Sequence, residues 1–364
     1  MVIIMGLFKS MKMKKLVIIF LTAIAPVCFI QAQDPVYTQA FMAPIYLNPA
    51  ATGMADYDFR VSAVYRRQWL VVPSGMQYFT IAADKFVYEH NIGVGLMVNK
   101  EQEGYIKRLG TYGTFAKQIC LGSHRLSLGI QGGMFNRQVD YSKLWFADQI
   151  TNQGIMTDLP TQVSPNVNNN KWLPDFAAGA MWVHNKGLMI GASVHHLNQP
   201  DESFTNAEES KLPRRLTLIT RFPLVIGENK IWDDDVLFIP GVIYSAQREN
   251  KTLSMGVEIK THYINLGVWY RNNLNFRRSD AISITITLDN FVGRNDYDKT
   301  DKVKAGFAYD ATTNGAGFTR TGGSSEGAAT WEHLYNPDAT SDNRCNSNAR
   351  NPVPCPPNLL RRIF

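Results

Sequence analysis

The chain carries only four cysteines in 364 residues. That scarcity excludes a disulfide-dense secreted scaffold, and with no CxxC pair it leaves no thiolate metal site. Beyond the leader there is no run of 18 apolar residues, so nothing is long enough to cross a membrane as a helix. Charge is sparse too, at 19% of residues, and its basic surplus lies in the leader. Lys9, Lys12, Lys14 and Lys15 are uncompensated there, and removing these four takes the formal charge from +6 to +2. A near-neutral mature chain gives no electrostatic argument for nucleic acid. HExxH and Walker A patterns are absent as well.

What is present begins with a leader. Lys12, Lys14 and Lys15 form a basic region, Leu16 to Ile30 an apolar one, and Ile30-Gln31-Ala32 fits a cleavage site. Residues 1–32 are therefore expected to be a signal peptide, with translation starting at Met1 or Met11 and the mature chain at Gln33. A lipoprotein reading at Cys28 is disfavoured by Ala25-Pro26-Val27, a poor lipobox. An exported chain without a spanning helix is a soluble protein, a surface protein or an outer-membrane barrel.

The stretch Gln33–Trp69 narrows this choice. A Pro-punctuated lead-in (Pro35, Pro44, Pro49, then Gly53) passes into strict alternation. Phe59, Val61, Ala63, Tyr65 and Trp69 fall on one face, Arg60, Ser62, Arg66 and Gln68 on the other. That is the period of a strand. Similar runs follow at 77–88, 91–100, 105–121, 124–139, 175–184, 187–197, 214–222, 236–247, 252–260, 263–271, 281–288, 302–309 and 327–335. Ala281–Leu288 alternates most cleanly, Ile282, Ile284, Ile286 and Leu288 against Ser283, Thr285 and Thr287. Tight turns are expected at Asn91, Gly122-Ser123, Asn185-Lys186, Glu249–Lys251 and Thr261-His262, with long insertions at 141–174 and 199–212. Runs of about 9–12 residues with short turns on one side and long loops on the other predict an all-β transmembrane antiparallel barrel of about 14 strands. Glycines such as Gly129 and Gly179 inside the runs mark bends or close approaches. The expected organisation is a signal peptide (1–32), an arm or plug (33–57), the barrel (58–335) and a Pro- and Asn-rich tail (336–364). Tyr37, Phe41, Tyr46 and Leu47 are too apolar for a free tail, so the arm is expected to fold back into or over the barrel, or else to be ordered by a partner.

Signals for chemistry are weak. Ser193 and His195 share a strand face, as a barrel lipase needs, but the nucleophile elbow lacks its second glycine. The acidic run Asp233–Asp235 lacks EF-hand spacing and reads as a solvated turn. Arg214-Arg215 and Arg277-Arg278 read as lumen balance or as lipopolysaccharide contacts, and of Arg66-Arg67 only one can face inward. Cys120 lies in a strand and reads as structural. Cys345 and Cys355 in the tail are candidates for a disulfide in an oxidising compartment. No metal site is expected.

One resemblance ties distant segments together. The residues Asp34-Pro35, Gln39, Pro44, Tyr46-Leu47-Asn48-Pro49-Ala50 and Gly53, followed by Tyr65-Arg66 and Gln68-Trp69, resemble the PorP/SprF family of outer-membrane proteins. So do Ser127–Gly133, Leu144–Gln149, Ser193–Leu197, Leu212-Pro213, Tyr309-Asp310, Cys355-Pro356 and Phe364. In the family's common ending Phe follows Cys-Pro closely; here Cys355 lies nine residues before Phe364. The resemblance implies a non-enzymatic, cofactor-free component of type IX secretion and gliding motility. It implies export or surface anchoring of a secreted adhesin, or docking of periplasmic and lipoprotein components, at the outer-membrane lipid. The residues Gln39, Pro44, Tyr46, Leu47, Asn48, Pro49, Ala50, Gly53, Arg66, Gln68 and Trp69 then become the candidate partner-binding set. The alternative from the strand pattern alone is a porin or fatty-acid-type channel.

Overall fold

The period-two alternation folds as a closed sheet. The computed structural model describes residues 34–333 except 55–56, 74, 123, 141–143, 145–146, 152–153, 156–169, 185–186, 205–209, 230–233, 275–277, 293–300 and 315–316. Of the stretch Met1–Pro35 only Asp34-Pro35 is described, without regular secondary structure.

The wall consists of β1 Phe59–Gln68, β2 Met76–Val87, β3 Ile92–Glu103, β4 Ile106–Leu121, β5 His124–Val139, β6 Asn170–His184 and β7 Met189–His195, then β8 Arg215–Arg221. After Phe222-Pro223 the last continues as Leu224–Asn229 along the same neighbour. It is followed by β9 Asp234–Gln247, β10 Asn250–Lys260, β11 Ile264–Asn273, β12 Arg278–Val292, β13 Asp301–Thr312 and β14 Ser324–His333. Each strand pairs antiparallel with the next, and β1 pairs with β14 from Phe59↔His333 to Gln68↔Ser324. The result is a 14-stranded barrel with no free edge, the form in which backbone polar groups are satisfied inside lipid.

Side chains obey the alternation. On β12, Ile284 is 65% exposed while its neighbours Ser283 and Thr285 are buried. Leu96, Ile130, Phe176 and Val268 likewise point outward. The outer band is apolar and the interior polar, as in an outer-membrane barrel. On β1, Arg60, Ser62 and Arg66 are buried and Tyr65 and Arg67 exposed, as the sequence pattern predicts.

Loop lengths orient the barrel. The links β2–β3, β4–β5, β6–β7 and β10–β11 are short and lie at the end where β1 begins and β14 finishes. The long links β5–β6 and β7–β8 lie at the other end. Short turns face the periplasm in such barrels and long loops face outside.

Several boundaries differ from the sequence reading. β6 starts at Asn170, running through Pro174, rather than at Asp175. Residues 170–177 pair only with β5, since β7 joins from Ala178, so the missing Pro174 N–H faces an edge. The segment Leu224–Asn229 was not expected as strand; Pro223 interrupts the run and a register shift at Val225/Gly227 hides its alternation. The β9–β10 turn is Arg248-Glu249, with Arg248 at φ 51°, not Glu249–Lys251. The closing strand spans Ser324–His333 rather than 327–335, and its burial alternates along its length.

Candidate functional site

The lumen is filled by the chain's own N-terminal segment. Residues Ala40–Met42, Pro44–Leu47 and Pro49–Ala51 form three short helical turns, and Pro at the first position of the latter two suits the helical start. Asn48 caps the third turn, its side chain accepting from Ala50 N at 2.9 Å. Tyr37, Ile45, Tyr46, Ala50 and Met54 form an apolar core with the inward-facing Val64, Met97, Tyr112, Met181 and Trp269. The segment is therefore a plug packed against the wall.

Polar anchors fix it from several strands. Asn48 Nδ2 donates to the carbonyls of Ala180 (3.0 Å) and Ala192 (3.1 Å). Ser127 Oγ donates to Ala50 O and Ser193 Oγ to Leu47 O, each at 2.7 Å. Arg215 donates to the Tyr46 hydroxyl at 2.9 Å and lies over its ring. Gln118 Nε2 donates to Gly53 O at 2.8 Å, and Gly53 N donates to Asp84 Oδ2 at 2.7 Å. Arg60 grips the same Asp84 with two 2.9 Å bonds, a fork that fixes both partners. Gly53 itself sits at φ 68°, which favours glycine.

Gly93, Gly129, Gly179 and Gly306 leave room in the wall for the plug, a Cβ on Gly93 meeting Thr52 O and one on Gly306 meeting Gln39 Oε1. A Cβ on Gly129 would overlap the Pro49-Ala50 peptide, and one on Gly179 would overlap Asn48 Oδ1. The close approach read from these glycines is thus an approach of the arm.

The densest group lies toward the long-loop end. Thr38 N and Gln39 N donate to the two Glu326 oxygens at 2.9 and 2.6 Å. Thr38 Oγ1 donates to Asp310 at 2.7 Å and accepts from Arg66 and Arg271, each at 3.0 Å. Arg66 also bonds Asp310 (2.6 Å) and Glu326 (3.1 Å). Two acids and two arginines balance, and the plug's backbone supplies the remaining donors, as buried charge requires. Next to it, Gln39, Phe41, Trp269, Glu258, Asp289 and Lys304 help line a cavity of about 40 Å³, room for a few waters.

Above the plug, the link after β7 folds over the mouth. Arg137 donates to the Glu202 carbonyl (3.0 Å) and carboxylate (3.1 Å). Leu212 packs with Phe135 and Leu173. His196 Nδ1 lies 2.9 Å from Asp175. Asp201 accepts from Ser210 N (2.7 Å) and Ser203 N (3.1 Å), and these bonds, with Lys171 beside them, hold its carboxyl below the ordinary range.

The candidate residues sort accordingly. Gln39, Pro44, Tyr46, Leu47, Asn48, Pro49, Ala50 and Gly53 are buried in the plug, and Arg66 is its anchor. Gln68 and Trp69 stand at the outer rim, Trp69 at φ 61°. Ser193, the lipase candidate, is buried with its hydroxyl on Leu47 O, not at the membrane surface. Arg214 donates to Leu197 O at 3.1 Å in the folded link, whereas Arg215 faces inward onto Tyr46. Asp233, the side chain of Asp234, Arg277-Arg278, Cys345 and Cys355 lie outside the described side chains. Cys120 stands at an inward position of β4. Thr38, Asp84, Arg271 and Glu326 were not singled out in sequence. For Asp84, Arg271 and Glu326 the signal is a charge on the polar face of a strand, shared by many lumen residues; Thr38, in the plug, carries no such signal. Among the described residues no group of three His, Cys, Asp or Glu could hold a metal.

The segments that carry the family resemblance, far apart in sequence, meet on the plug: Arg66, Ser127, Gly129, Ser193 and Asp310 all touch or seat it. No curated protein matches the chain. Among solved structures it is similar to the CymD monoaromatic hydrocarbon channel, at 9% identity and a TM-score of 0.46 over 85% of this chain and 96% of that one. It is similar to a Pseudomonas aeruginosa FadL homologue at 11% and 0.45, covering 79% and 93%. It is also similar to the Acinetobacter baumannii outer membrane protein Omp33 at 9% and 0.38, covering 78% and 100%. At such identity these likenesses concern the barrel alone. A family model, type IX secretion system membrane protein PorP/SprF, matches residues 30–329. A lipid-banded, closed barrel carrying that family's residues on its own plug is an outer-membrane component, and the chain belongs to the PorP/SprF family of type IX secretion system membrane proteins.

Proposed function

We propose that this barrel is a non-enzymatic docking platform of the secretion system. It acts in export or cell-surface anchoring of a secreted adhesin, or in docking periplasmic proteins and lipoproteins of the machine. The observation that carries the reading is the plug: the segment from Tyr37 to Gly53 occupies the lumen and is bonded to strands around the wall. A filled lumen suits a platform better than a conduit. Contact surface on the outer side comes from the folded link around Glu202 and Leu212 and from the rim at Gln68-Trp69. The buried residues of the candidate set then act through the plug rather than by touching a partner.

A mild-detergent pull-down of the full chain followed by mass spectrometry tests this. Recovery of a large surface protein supports the anchoring branch, and recovery of periplasmic components supports docking. Purification as a lone barrel that passes solutes steadily in liposome swelling would replace the platform with a small-molecule channel.

A further inference from the structure

Strand β8 does not stop where its neighbour does. β7 accompanies it only to the pair Arg221↔Met189, at the short-turn end of the wall. Past that point Phe222 N still donates to Pro240 O at 3.1 Å, and Leu224–Asn229 runs on along β9, from Leu224↔Phe238 to Asn229↔Asp234. On the far side β10 reaches β9 only as far as Leu237↔Lys260. Leu224–Asn229 and Asp234–Phe238 therefore form a two-stranded ribbon past the closed wall, on the periplasmic side. At roughly 3.3 Å per residue its free strand is about 20 Å long.

Among the described residues no strand pairs with the outer edge of Leu224–Asn229. Alternate residues of an antiparallel strand turn their N–H and C=O groups to opposite sides, so part of this backbone faces the open edge. The side chains are open too. Leu224, Val225 and Ile226 are 39%, 57% and 58% exposed in succession, and a Cβ on Gly227 would meet nothing within 4 Å. Either surrounding leaves something unmet. In water three adjacent apolar side chains stand bare; in hydrocarbon an open strand edge is not tolerated. An added strand meets both needs, since it brings backbone partners at the ladder's own spacing and apolar side chains beside them. Charge gives it a direction. Residues 224–235 hold Glu228, Asp233, Asp234 and Asp235 against Lys230, so the sequence is apolar where the ribbon leaves the wall and acidic at its tip.

We propose that this edge docks an extended segment of a periplasmic protein by strand addition. The incoming strand runs antiparallel, with basic residues at the register of Glu228 and Asn229, then β-branched residues at that of Ile226, Val225 and Leu224. Pro223 lacks an N–H and ends the site at the wall, so the partner pairs with the ribbon alone. The inference rests on the platform reading and gives its docking branch a place of contact.

Hydrogen exchange of the full chain in detergent, read over residues 224–229, tests this with a synthetic peptide of sequence RKVTVTI as the probe. At about ten times its Kd the probe should slow exchange there roughly tenfold and leave the β1–β14 pairs unchanged. RKVPVPI, which cannot complete a ladder, should give no protection. EDVTVTI, with its charge reversed, should need a higher concentration, and equal binding overturns the charge match. Val225→Lys puts a charge on the edge and should abolish the protection, in a barrel whose heat-modifiable migration on gels is unchanged. No protection by RKVTVTI at millimolar concentration, or equal protection by RKVPVPI, overturns strand addition. Exchange that is already slow without the probe overturns the open edge, because the chain itself then covers it. In the pull-down, retention of periplasmic components by Val225→Lys overturns this site and leaves the platform standing. Their absence from the unsubstituted chain overturns the docking branch and this site together.

Discussion

Arg66 on β1 places Nη2 2.6 Å from Asp310 Oδ2 on β13, across the interposed strand β14. Both groups also bond Thr38, so this ion pair holds wall and plug together. Arg66→Ala leaves Asp310 with Arg271, and Glu326 with the backbone N–H groups of Thr38 and Gln39. Breaking a buried pair from one side costs roughly 3–5 kcal/mol. The expected outcome is a barrel that unfolds at lower temperature in heat-modifiable gel migration, with proteolysis near Thr38 appearing first.

The seats of the plug make a second prediction. Gly179→Leu should displace Asn48 and cost roughly 1–3 kcal/mol by overpacking, whereas Gly327→Val, which meets open space on the outer face, should be neutral. Limited proteolysis of the folded barrel reads the difference: cleavage between Tyr37 and Gly53 in the first variant, none in the second.

Removing the plug altogether should empty the lumen. Deleting Tyr37–Gly53 exposes a polar, charged interior to water. In planar bilayers the full chain is expected to be silent and the deletion variant to conduct ions. A silent, folded deletion variant would show that the wall itself is closed.

The folded link over the mouth should respond to acid. The Asp201 carboxyl is held below its ordinary value by Ser210 N–H, then Ser203 N–H and Lys171. A depressed carboxylate contributes stability that is present above the unfolded value, near 3.9, and is lost as pH falls through the folded one. The protection factors of residues 196–204 and 210–214 against hydrogen exchange, corrected for the intrinsic rate at each pH, should therefore hold from neutral pH and fall only below that value. Asp201→Asn should lower protection at neutral pH and remove most of this acid dependence.

Much of this was written along the chain. Alternation is local, so Arg66 inward and Arg67 outward follow from period two alone, as do the Ile282–Leu288 outer face and the turn at Asn91. Leu224–Asn229 and the start of β6 were not legible, because Pro223 and Pro174 look like punctuation until the neighbouring strand supplies an edge that needs no N–H.

The sequence by itself determined an exported-type β-barrel pattern and an N-terminal segment too apolar to be left in water. Only the tertiary structure decided what that segment does. Ser193 reads in sequence as one more residue on a polar strand face, and only the fold places Leu47 O 2.7 Å from its hydroxyl. Gly129 and Gly179 read as bends or close approaches, and only the fold shows that Pro49-Ala50 and Asn48 occupy the space a Cβ would fill. Strand pattern is set by neighbours one and two residues away. The plug is set by partners up to 288 residues apart, as between Thr38 and Glu326, and no local period records them.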